Sequence, residues 1–307
     1  MASSSPYTWG HVEIHRGRAV SGLRFEVPTA LQYFSSLVAD DAGFALLEAA
    51  IAVAQDEYPN LDAHGVLLQV DALADRLRRR IPVDAVPLQK LRFLNRYFFQ
   101  ELGFSGNVND YYDPRNSYLH EVLAMRRGIP ITLALLYVEF ANQAGLTARG
   151  VSFPGHFLVK LRMPRGEVII DPFTGHSLSR EDLEERLTPY RRQRGLVGDF
   201  ETPLGLFLQT APPRDVLARL LRNLKEVHRS AQDWARLLAV QERLVILLPQ
   251  AWEERRDRGL TLAEMGVDDS AALDLAVYLE HCGDADDAPT LRERLERLRR
   301  AGSPRLQ

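Results

Sequence analysis

Residues 113–173 read DPRNSYLHEVLAMRRGIPITLALLYVEFANQAGLTARGVSFPGHFLVKLRMPRGEVIIDPF, and the middle of this stretch decides the fold. Gly128, Ile129 and Pro130 introduce a helix that ends at Gly145. Within it Ile131, Leu133, Ala134, Leu135, Leu136, Val138, Phe140 and Ala141 leave little polar face, so the spacing predicts a central helix enclosed on most sides. Three runs of strand character follow: Thr147 to Phe153, His156 to Arg162, and Glu167 to Asp171. Pro154-Gly155 separates the first two, and Met163 to Gly166 supply a hairpin connection between the second and third. One enclosed helix followed by an antiparallel sheet is an α+β layer arrangement.

Upstream, residues 1 to about 27 read as irregular, and Pro28-Thr29 opens a helix that runs to about Ala39. A second helix spans Gly43 to about Asp56 and stops near Tyr58-Pro59-Asn60, because proline cannot continue the backbone ladder. Leu61 to Arg80 and Pro87 to Leu102 form two more, with Leu67, Val70, Leu73, Ala74 and Leu77 on one buried face of the first. Turn formers in FSGNVNDYYDPRNS precede a short helix from Tyr118 to Arg126. Downstream, from Pro213, the pattern is helical to the end, with breaks near Pro249, Gly266 and Gly283. Pro249 and Gly283 lie 34 positions apart, the tetratricopeptide period, and Gly259 and Ala271 fall near that repeat's small positions. Three regions are expected: helical 1–102, an α+β core 103–205, and a helical repeat segment 206–307.

Composition narrows the function classes. The 307 residues carry 46% hydrophobic and 26% charged side chains, as an ordinary globular chain does. With 38 basic against 41 acidic residues and a net charge of -3, no dominant positive field is available, which argues against nucleic acid. No apolar h-region opens the chain and no run of about 18 apolar residues follows, so neither export nor a membrane partner is expected. The single cysteine, Cys282, precludes an intrachain disulfide and suits a reducing cytoplasm. His11 and His15 have i, i+4 spacing without a third ligand nearby, so no metal is expected. The absence of a Walker loop or dinucleotide fingerprint leaves no cofactor implied. The arginine clusters 76–80 and 191–194 read as solvated helix faces or loops.

Asn116-Ser117, Arg127-Gly128-Ile129-Pro130, Pro154-Gly155-His156-Phe157 and Asp171-Pro172-Phe173 make the chain resemble the SirB-type, transglutaminase-like family of bacterial proteins. The resemblance implies a helical N-terminus, a transglutaminase-like core and a tetratricopeptide-like C-terminus. Active transglutaminase-like enzymes open the central helix with a cysteine and carry histidine and aspartate on the following strands. A helix N-terminus lowers a thiol's pKa, the histidine takes its proton, and the carboxylate orients the imidazole. Aligned through Gly145, the cysteine position falls on Pro130, whereas His156 and Asp171 match the histidine and aspartate.

A four-residue loop at 163–166 pairs Arg162 with Glu167 and Leu158 with Asp171, which sets Asp171 diagonal to His156 on one face. Diagonal partners lie roughly 7–8 Å apart at the backbone, within side-chain reach; a one-residue slip would separate them. The pair is either a binding dyad or a polar pair fixing the sheet edge. Other cleft candidates are Thr132, whose hydroxyl can satisfy local backbone; Asn116 and Ser117, which can cap the 118–126 helix; and Arg127, with Arg126, which can bind a carboxylate or make an ion pair. Cys282 reads as a small buried hydrophobe. The leading functional expectation is a pseudoenzyme that binds a protein or peptide partner. The alternative is a hydrolase or acyltransferase using the His156/Asp171 dyad with water or a hydroxyl; a third has the cleft filled by side chains.

Overall fold

The computed structural model describes residues 28–40, 43–196, 198 and 202–302. The expected irregular start and its His11 and His15 lie outside the described residues. α1 (Ala30–Leu37) begins where Pro28-Thr29 was expected to open a helix: the Thr29 hydroxyl accepts from Gln32 N–H while Gln32 returns a bond to Thr29 N–H. α2 (Leu46–Ala52) tightens into a 3₁₀ turn at Val53–Asp56, and α3 (Ala63–Arg78) is capped by Asp62. α4 (Pro87–Asn95) widens into a π-helical turn at Arg96–Glu101. There Phe98 stacks on Phe104 at 4.4 Å and meets Tyr137 and Phe140 edge-on.

β1 (Ser105–Gly106) leads to a 3₁₀ turn, Pro114–Ser117, and to α5 (Leu119–Met125). Arg126 closes α5 in the left-handed region at φ 58°, and β2 (Arg127–Gly128) then pairs in parallel with β1. α6 (Pro130–Gln143) is the enclosed helix, and proline at its first position forfeits an N–H that has no intrahelical partner anyway. β3 (Thr147–Phe153), β4 (His156–Met163), β5 (Gly166–Ile170) and β6 (Ser177–Leu178) form an antiparallel meander in that order. α7 (Arg180–Gln193) and α8 (Leu204–Phe207) follow, and α9 (Pro213–Ser230), α10 (Trp234–Leu247), α11 (Trp252–Glu264), α12 (Asp268–His281) and α13 (Ala288–Gly302) complete the described residues.

Strand alternation gives the sheet two buried faces. Ala148, Phe157, Val159, Leu161 and Ile170 join the main core around α6, while Val151, Phe153, Leu158 and Ile169 pack with Leu183 and Leu187 of α7 and Leu204 of α8. The main apolar cluster runs from Phe34 to Leu247, taking in Leu217, Leu220, Leu221 and Leu224 of α9 and Leu244 of α10. α11 to α13 instead share a satellite cluster of Leu275, Tyr278 and Leu291. A Cβ on Gly259 would meet Asp274 Cβ at 3.1 Å and Ala271 O at 3.2 Å, so a small residue is what lets α11 approach α12. Lys225 on α9 bonds Glu254 and Asp257 on α11, tying the satellite to the core. No helix among the described residues is long and apolar enough to cross a membrane.

Candidate functional site

The β4–β5 hairpin pairs Arg162 with Glu167, and its strands extend one pair further, to Met163 opposite Gly166. The connection is therefore the two residues Pro164-Arg165 rather than four, with Gly166 supplying a φ of 121°. Because the 162/167 register holds, His156 and Asp171 share a face, and their side chains meet at 2.8 Å between Nε2 and Oδ1. It is the face that α7 covers, and Arg186 of that helix reaches the other oxygen, Oδ2, at 3.1 Å. Phe173 N–H adds a backbone bond to Oδ1 at 3.0 Å.

Asp171 is only 1% exposed. Burial pushes its carboxyl up, but the hydrogen bond and charge of His156, the Phe173 amide and Arg186 together outweigh burial and hold it at about 2. The group is thus ionised at neutral pH and accepts only, so Nε2 of a neutral His156 must carry the ring proton. The basic lone pair is then on Nδ1, away from Asp171. The Phe173 ring stands edge-on to the imidazole at 6.2 Å and also meets Tyr111 at 6.1 Å.

A short backbone bridge links this turn to the entry of α6. Gly106 N–H donates to Phe173 O at 2.9 Å, and Asn107 N–H donates to Gly128 O at 3.0 Å. Two inter-strand spacings put the Phe173 and Gly128 backbones about 10 Å apart. Only glycine fits at 106, since a Cβ there would lie 2.4 Å from the Phe173 ring.

The side chains around that entry are committed to structure. Pro130 occupies the first position of α6 and is buried. Thr132 is fully buried, with its hydroxyl directed at Asn116 O (2.8 Å) and Ile129 O (3.1 Å), which pins α6 to the 3₁₀ turn. Asn116 does not cap α5, contrary to expectation. Its amide donates to Asp110 O and Tyr111 O and accepts from Asn107, because a buried amide can organise the whole 107–117 loop at once. Ser117 is buried and lines a small cavity of about 80 Å³ beside Ile129 and Tyr111.

The guanidinium of Arg127 donates to Gly103 O and Arg126 O, bracing the β1–β2 strands. Arg126 lies over the Phe104 ring. Arg191, expected on a solvated face, is buried and bonds Glu184 and Thr202 O. Cys282 ends α12 against the satellite cluster. Sequence reasoning missed Arg186 altogether, since its charge-rich helix, REDLEERLTPYRRQ, carries no signal that one guanidinium is aimed at a buried carboxylate.

The chain is similar to known proteins over most of its length. The transglutaminase-like superfamily matches residues 64–222, and the tetratricopeptide repeat matches residues 224–296. A UPF0162 protein of Xylella fastidiosa (strain 9a5c) is 41% identical over 242 residues, covering 78% of this chain and 85% of the relative. One from Vibrio cholerae is 28% identical, covering 68% and 77%, and UPF0162 protein YchA of Escherichia coli K12 is 26% identical, covering 79% and 87%. No solved structure matches.

Proposed function

This chain belongs to the transglutaminase-like UPF0162 family, and from that premise we propose that it is a pseudoenzyme that binds a protein or peptide partner and acts through binding, not chemistry. The observation that carries this reading is Pro130. The first turn of a buried helix is where a thiol would be activated, and the residue there has no nucleophile. Thr132, two positions further, spends its hydroxyl on backbone oxygens. What remains is an imidazole whose Nδ1 can accept a hydrogen bond from a ligand, held by a carboxylate that Arg186 bonds in turn. The helical repeats supply the docking surface, with Met265, Val267 and Leu273 exposed around α11 and α12. The lone cysteine suits a reducing cytoplasm.

The packing selects the truncation that tests this. Cutting at residue 213 would strip the apolar residues of α9 and α10 from the main core, whereas α11 to α13 carry their own cluster. Affinity capture with the full chain and with a variant lacking residues 252–302 should show a partner lost on deletion, while the shortened core still melts cooperatively. Undiminished capture by the shortened chain would remove α11 to α13 from the binding role.

One observation favours a second reading, a hydrolase or acyltransferase in which His156 activates water or a hydroxyl. With Asp171 accepting from Nε2–H, the lone pair of a neutral His156 stands on Nδ1, where it can take a proton.

A further inference from the structure

Away from the dyad, a cavity of about 860 Å³ opens where the first repeat hairpin meets the core. One wall is the end of α9 and start of α10; the other is Glu57-Tyr58 and the 112–118 turn. It shares Tyr112, Asp113, Glu226 and Val227 with the small cavity at the entry of α6, so the two run together.

We propose that this cavity binds an ammonium group carried on an aliphatic stem, the chemistry of a lysine side chain or a free polyamine. Three tyrosines line it, Tyr58, Tyr112 and Tyr118, and a tyrosine ring attracts a cation through the negative face of its π-system. Four carboxylates line it, Glu57, Asp113, Glu226 and Asp233, against two guanidiniums, Arg115 and Arg236, and Glu226 also pairs with the exposed Arg229 outside the lining. Neither guanidinium is open to an anion: Arg115 is held in a fork by Asp113, and Arg236 is shared between Glu57 and Asp233. Pro114, Val227 and Ala231 offer apolar surface for the stem.

An independent observation points the same way. His228 lines the cavity, is 3% exposed, and leaves Nε2 with no hydrogen-bond partner. Burial pushes its imidazole below the usual histidine range, with Asp233 and Glu57 opposing and Arg236 adding to the shift. The ring is therefore neutral at pH 7, and in the tautomer with Nε2 unprotonated it presents an acceptor. A ligand rich in donors and lacking acceptors satisfies it; a second carboxylate would not.

The test is titration of the full chain, by calorimetry and by protein NMR shifts, with three probes: the tripeptide acetyl-Ala-Lys-Ala-amide, its norleucine analogue, and cadaverine. Tyr112 is 72% exposed and Glu226 is half-exposed, so Tyr112→Ala and Glu226→Gln leave the fold alone. Binding of the lysine peptide or cadaverine is expected, weakened about five-fold by Tyr112→Ala, in line with a cation–π contact, and further by Glu226→Gln. Preference for the peptide identifies a partner side chain, and preference for cadaverine a free polyamine; either supports the site. Equal binding of the norleucine peptide, no binding of either cation, or affinity unchanged in both variants would overturn it. Loss of binding only in His156→Ala would also overturn it, by moving the ligand to the dyad, and would leave the pseudoenzyme reading intact.

Discussion

Asp171→Ala is expected to destabilise the protein by about 3 kcal/mol, the cost typical of removing one partner from a buried charged pair. The substitution strands the His156 N–H and the Phe173 amide and leaves Arg186 facing a void. Asp171→Asn keeps the shape and removes the charge, so it separates packing from electrostatics. The folded carboxyl titrates at about 2 against an ordinary value of 3.8. A group depressed in this way contributes stability that is fully present above the unfolded value and is lost as pH falls through the folded one. The gap between wild type and Asp171→Asn in urea unfolding should thus be constant near neutrality and shrink by roughly 2 kcal/mol between about pH 5 and pH 2. A gap that does not change with pH would mean the carboxylate is not held by its three partners. Taking the difference matters because other carboxyls are also held below their ordinary value, Asp113 and Asp233 by arginine partners and Asp287 by Tyr278 and Arg256, and add their own acid dependence.

A second large effect is expected far from any ligand. Phe98→Ala should cost about 3–5 kcal/mol, the range for truncating a buried aromatic. Phe98 is fully buried, stacked on Phe104 and edge-on to Phe99, Tyr137 and Phe140. It joins the π-helical turn, the approach to β1 and the middle of α6, so its loss opens a cavity that no single element can close. Phe98→Leu should recover much of the loss, because volume-conserving swaps usually cost under about 1.5 kcal/mol. Equal losses for alanine and leucine would point to the aromatic edge contacts, not volume, as the dominant contribution.

What the sequence disclosed, and what it hid, follows from the range of the interactions involved. α6 was legible because an all-round apolar pattern has one physical outcome, and the β4–β5 register because a period of two with a tight turn admits few alternatives. That register is what joins His156 to Asp171, 15 positions away. The 3₁₀ finish of α2 and the π-helical end of α4 leave no pattern, since they differ from α-helix only in which carbonyl is used. Asn116 looked like a cap because its neighbours are turn formers, yet its partners are Asn107, Asp110 and Tyr111, chosen by tertiary closure of the loop. Arg186 and Arg191 sit in a segment whose composition announces a solvated face, and only the packing of α7 on the sheet brings Arg186 to the buried Asp171 and buries Arg191. Arg243 is the extreme case: it is buried and bonds Asp56, 187 positions away.

The reading of the chain as a binding protein depends most on Pro130 standing at the entry of α6 while the histidine–aspartate pair is kept on the sheet. Turnover by purified wild type and His156→Ala, against a panel of amides and esters at neutral pH, tests this most directly. Both proteins should stay at the uncatalysed background. Measurable hydrolysis or acyl transfer by the wild type that vanishes in His156→Ala would contradict the pseudoenzyme and establish the dyad as a working base.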